Sequence, residues 1–161
     1  GGLRFSGCIA PRGLPLACDQ RSGPPLCRAG GQPMTPQEDA RILLLLVDRH
    51  LRALRLNLEA EYPDEEWGFT AQQAVEKLLK VMIVLKDQRP PFTHMLSDLA
   101  AHAEVDLPPF LLSLQPYAVE ARYEEGPFPL VASREVILVQ ICALRTAVDA
   151  RLDEHLAVDQ P

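Results

Sequence analysis

The chain has 161 residues, 47% of them hydrophobic, and a formal charge of −6, which suits one soluble domain with a real apolar core. The charge is uneven: residues 1–33 hold four Arg and one Asp, so the remainder carries −9. An acidic body repels phosphate chains at long range, which excludes a general nucleic-acid coat protein and confines any nucleotide contact to a small cationic patch.

Residues 1–33 are rich in Gly, Pro and Arg and show no period of 2 or 3.6. They bury too little apolar surface to offset the entropy of ordering and are expected to be disordered. Met34 opens a segment of different character, residues 34–161, and is a candidate biological start. Thr35-Pro36-Gln37-Glu38 reads as a capping box with Pro at the first helical position. A first helix is expected from Pro36 to about Glu61, with Leu43, Val47, Leu51, Leu54 and Leu58 on one stripe, ended by Tyr62-Pro63. A second runs from about Asp64 to Gln88. With Trp67 at zero on a helical wheel, Ala71, Ala74, Leu78, Met82 and Leu85 fall within about one sixth of a turn of it. Leu79 and Ile83 widen the apolar arc to roughly 200°, so this helix should be covered on two sides. Gln73, Lys77, Lys80 and Val84 form a separate face on which two long cations can reach water or an anionic partner.

Pro90 and Pro91 stop the second helix, and Thr93 is placed to cap a shorter third one, from His94 to about Ala103. Pro108 and Pro109 start a fourth short helix through about Leu114. From Gln115 to Ala132 the turn signals are dense and no period holds, so a surface connection is expected. Ser133 caps a last helix with Ile137, Ile141, Leu144, Val148 and Leu152 on its stripe. The sum is an all-α, up-and-down helical bundle of three long and two short helices.

The longest aliphatic run, Ile42 to Val47, is six residues, far below the ~20 needed to span a bilayer. No secretory apolar core is visible either, and a cytoplasmic location without membrane contact is expected. Cys8, Cys18 and Cys27 have neither zinc nor disulfide-framework spacing and read as reduced thiols, while Cys142 reads as a small core or interface residue. There is no Walker loop, GxGxxG, HExxH or nucleophile elbow, and neither a metal site nor a cofactor is expected. The carboxylates of Asp64-Glu65-Glu66 and Glu124-Glu125 look like exposed helix-start or loop charges.

Three motifs, in order, resemble the HEPN family of small helical-bundle proteins. Phe69 to Lys80, FTAQQAVEKLLK, is similar to the family's QQAxEKxLKA helix. Pro91-Phe92-Thr93-His94-Met95-Leu96 is similar to its P-x-T-H-x-L helix start. Tyr117 to Tyr123, YAVEARY, is similar to the Tyr and Arg-Tyr that precede the last helix. The resemblance implies a bundle that dimerises, often beside a minimal nucleotidyltransferase as a toxin–antitoxin pair, that binds RNA or a nucleotide, and that in many members is a metal-independent ribonuclease. Its ribonuclease signature, an Arg followed four to six residues on by His, falls on Arg89 and His94, although Pro90 and Pro91 place these two on different elements.

Each candidate has a duller alternative. His94 at a helix start can pack or bond locally rather than act as a base, and Arg89 can complement the dipole of the helix it ends. Gln73, Lys77 and Lys80 can bind a phosphorylated ligand or remain a solvated helix edge, with Glu76 pairing Lys80 at i, i+4. Tyr117, Arg122 and Tyr123 can stack a base or clasp the long connection onto the bundle. The rival to a catalytic domain is a non-catalytic dimerisation or interaction module.

Overall fold

A computed structural model of the chain describes residues 33–158. The extension expected to be disordered, apart from Pro33, and Cys8, Cys18 and Cys27 lie outside the described residues. Six α-helices follow in order: α1 Pro36–Leu56, α2 Asp64–Val84, α3 Leu96–Ala103, α4 Pro109–Leu112, α5 Glu120–Tyr123 and α6 Arg134–Val158, with a 3₁₀ turn at Gln115–Ala118 between α4 and α5. No strand element occurs among the described residues, and the architecture is the expected all-α bundle. No described helix is long and apolar enough to cross a membrane.

The capping box at α1 forms: the Thr35 hydroxyl accepts from the Glu38 N–H at 3.3 Å, and the Glu38 carboxylate accepts from the Thr35 N–H at 2.8 Å. α1 stops at Leu56, earlier than its apolar stripe suggests. The Asn57 amide turns back onto the Ala53 carbonyl at 2.8 Å, and Arg134 draws the carbonyls of Asn57 and Glu59 out of helical register at 2.9 and 2.8 Å. A short polar side chain that bonds its own backbone competes with helix continuation. α2 likewise ends before Gln88, in a turn closed by Asp87 at φ 55, a left-handed conformation that terminates helices.

α2 is the middle rod. Trp67, Ala71, Ala74, Leu78 and Met82 are buried on one side and Val75, Leu79 and Ile83 on the next, and the helix packs against α1, α3 and α6. The Trp67 indole donates to the Leu54 carbonyl at 3.2 Å across the α1–α2 hairpin. Gly68 lets the Tyr117 ring lie directly on α2, since a Cβ there would sit 2.5 Å from the ring. The Tyr117 hydroxyl donates to the Phe128 carbonyl at 2.7 Å. Asp64 and Glu65 are half-buried rather than exposed, because Glu65 accepts from the Phe128 N–H at 3.1 Å and Asp64 from the Leu130 N–H at 3.4 Å. The connection before α6 is thus pinned to the start of α2.

α6 opens on a buried cation. The Arg134 guanidinium donates to the carbonyls of Asn57, Glu59 and Tyr62 and to the Asp64 carboxylate. Ser133 caps the helix by accepting from the Val136 N–H at 3.2 Å. α6 runs antiparallel to α1, with Arg145 on Asp48 near the middle of the pair and Arg55 near Cys142 toward one end.

Candidate functional site

The non-helical stretch 88–95 runs back along α2 instead of away from it. His94 therefore comes level with Gln72 and Glu76, and α3 then travels beside α2 until its last turn meets Lys86, which donates to the His102 carbonyl at 3.1 Å. Pro90 and Pro91 fit this path because proline favours extended backbone and cannot continue a helix. Thr93 accepts from the Met95 N–H at 3.1 Å, while the Leu96 N–H goes to the Gln115 side chain at 2.5 Å. The helix consequently begins at Leu96 and leaves His94 in the non-helical run.

The hub of the site is Glu76, only 3% exposed. Its carboxylate accepts from Lys80 Nζ at 2.7 Å, Gln72 Nε2 at 3.0 Å and Gln73 Nε2 at 3.3 Å, and both oxygens lie 3.1 Å from His94 Nδ1. Burial alone would raise this carboxyl, yet the Lys80 bond and charge, with the Gln72 and His94 bonds, hold it below its ordinary range. A carboxylate only accepts, so Nδ1 carries the hydrogen and Nε2 of a neutral ring carries the lone pair. Gln72, fully buried, also donates to the His94 carbonyl at 3.2 Å and so fixes backbone and ring together. The His94 side chain remains 58% exposed. The arrangement is an imidazole held from behind and open in front, which is what proton transfer to a bound ligand requires.

The remaining sequence candidates are placed as follows. Gln73, Lys80 and His94 gather around Glu76, and the expected Glu76–Lys80 pair is present. Lys77 Nζ donates to the Gln73 side-chain oxygen Oε1 at 2.8 Å. Burial pushes its amine below the usual range against the pull of Glu76, and the Lys80 charge adds to the lowering. Arg89 is exposed, makes no hydrogen bond or ion pair among the described residues, and is not joined to His94. Tyr117 is turned inward, its phenol pushed up to about 12 by burial and by Asp64 and Glu65. Arg122 lies 4.6 Å over the Phe69 ring and 5.6 Å from the Tyr123 ring, with Tyr123 78% exposed.

Sequence reasoning missed Glu76 and Gln72 as the groups that orient His94. The available signal was a carboxylate and an amide one turn apart, inside the apolar arc of the most buried helix, where an unsatisfied polar group is costly. Among the described residues no cluster of three or more His, Cys, Asp or Glu side chains is placed to hold a metal ion.

An all-α bundle with a buried carboxylate backing a half-exposed imidazole defines a small helical domain with one polar edge. A HEPN domain family model matches residues 48–139, more than half of the chain, and the chain belongs to the HEPN domain family. The match runs from the middle of α1 through the first turns of α6 and contains the whole Glu76–His94 cluster. No curated protein and no solved structure matches the chain.

Proposed function

We propose that the protein is an RNA- or nucleotide-binding HEPN domain that acts as a homodimer and cleaves RNA without a metal ion, His94 serving as the base. The observation that carries this reading is His94 Nδ1 set on the buried Glu76 carboxylate while the ring stays largely exposed. Nε2 takes the proton of a ribose 2′-hydroxyl, the freed oxygen attacks the adjacent phosphorus, and the 5′-oxygen leaves with a proton. The products are a 2′,3′-cyclic phosphate and a 5′-hydroxyl end. Arg89, exposed five residues before His94, holds the phosphoryl charge with its planar fork. Across a two-fold axis the second copy brings a second His94, so one imidazole takes a proton while the other gives one. Lys77 and Lys80 outnumber Glu76 and leave this edge of α2 net positive, the Gln73 amide beside them can bond a ligand, and Tyr123 on Arg122 offers a flat surface to a base. Family membership supports a nucleotidyltransferase as protein partner, in a toxin–antitoxin pair in the cytoplasm.

The test is incubation of purified protein with RNA in the presence of a chelator. The parent should yield cyclic-phosphate ends, and His94→Ala should lose at least about a hundredfold in rate, the usual share of a general base. Identical traces for the two proteins would reject the reading. One observation favours a second reading, a non-catalytic interaction module: Phe92 and Met95, which flank His94, are 78% and 45% exposed. A monomer by light scattering at micromolar concentration, together with no partner protein encoded next to it, would reject that one.

A further inference from the structure

We infer that the outer face of α1, centred on Arg49, Arg52 and Arg55, is a track for the phosphate backbone of single-stranded RNA, an inference that rests on the RNA reading above. All three residues are exposed, as is Arg41 two turns earlier. Among the described residues none of the four meets a carboxylate or a carbonyl, and the single polar contact is Arg55 with the Cys142 sulfur at 3.5 Å. Most other cations among the described residues differ, with Arg89, exposed, and Arg122, stacked on Phe69 and Tyr123, the two that also lack an acid or a carbonyl. Every lysine is held by a carboxylate or an amide, and the arginines of α6 by carboxylates or carbonyls. The one acid on the same stretch of α1, Asp48, is taken by Arg145 from α6 at 3.1 Å. Among the described residues the unneutralised positive charge therefore lies chiefly along one helix.

The geometry suits a phosphate run. Residues three apart rise about 4.5 Å along a helix axis and step back about 60° around it, so the three Cα positions rise about 9 Å in an inclined row that fans over about 120° of α1. Arginine, unlike lysine, meets a phosphate with two parallel N–H bonds. His50, beside Arg49, has its imidazole lowered to about 4, chiefly by burial, with the charges of Lys77 and Arg49 adding to the lowering. An acidic peptide would meet the same charges, with Leu45 and Leu56, 68% and 72% exposed, as its apolar contacts. RNA is favoured because the same domain carries an imidazole suited to 2′-hydroxyl chemistry.

The experiment uses the full chain and a labelled single-stranded RNA of about a dozen nucleotides, read by fluorescence anisotropy across a salt series. Each phosphate contact on a single strand contributes about −0.7 to the slope of log affinity against log salt. R49Q/R52Q/R55Q should bind about tenfold more weakly near 0.1 M salt and lose about 2 from the slope. R49K/R52K/R55K should keep the slope and lose only part of the affinity. An unchanged slope in the glutamine variant overturns the track, and so does polyglutamate binding as tightly as the RNA. If the glutamine variant behaves as expected while His94→Ala cleaves like the parent, the catalytic reading fails and the track stands. If the glutamine variant binds like the parent while His94→Ala loses cleavage, the track fails and the catalytic reading stands.

Discussion

Arg134 and Glu76 are both charged groups sunk into the same bundle, and they are finished differently. The Arg134 guanidinium donates to three backbone carbonyls and one carboxylate, and its arrangement closes on itself between the α1–α2 connection and the first turn of α6. Glu76 is equally satisfied on its inner side, but one of its partners, His94, keeps most of its ring in solvent. A buried charge whose contacts all end inside the molecule is an anchor. One whose contacts end in an open titratable ring has a use beyond folding, because burial alone never required that last member.

The contrast is sharpest under substitution. Arg134→Ala strands three carbonyls and Asp64, and should cost about 3–5 kcal/mol of stability, the range for breaking a buried pair, as measured by urea unfolding. Any surviving folded fraction should cleave normally. Glu76→Gln should cost less, about 1–3 kcal/mol, but should slow RNA cleavage by at least about tenfold because the imidazole keeps only a neutral acceptor and loses the negative charge that stabilises its protonated form. Glu76 is held low in the folded state, so its contribution is present above the ordinary carboxylate range and is lost as pH falls through the lowered value. A Glu76→Gln protein that cleaves like the parent would erase the distinction between the two sites. The smallest effect is a gradient. His50 has its pKa lowered to about 4, so between its ordinary value and that one the unfolded chain binds a proton the folded chain refuses. Stability must then drop as pH falls through this window, by less than the about 1.4 kcal/mol per pH unit that one full proton gives. His50→Gln should show a flatter profile over the same window.

Much of the bundle is legible from the chain, because the stripe from Trp67 to Leu85, the Thr35 box and the Ser133 cap are local signals that packing reinforces. The boundaries that shifted, Leu56 and Val84, were moved by partners far away in sequence or by backbone handedness, neither of which periodicity records. The connection 115–132 has no period to read, yet it contains a 3₁₀ turn and α5 and is pinned by Asp64 and Glu65. The candidate site was half visible: His94, Gln73 and Lys80 stand together, while the carboxylate that unites them could be assigned only to Lys80. What was missing was the return path of residues 88–95, a long-range fact with no local signature beyond two prolines.

That return path makes the site a matter of measured length. His94 is delivered to Glu76 by a non-helical run that turns once at Pro91–Thr93, and since an added residue lengthens such a run by up to about 3.3 Å, one residue inserted after Asp87 would carry the imidazole past its acceptor even with every side chain of the cluster intact. Side-chain changes on that run at positions other than Arg89 and His94 should be absorbed readily, whereas changes in its count should not.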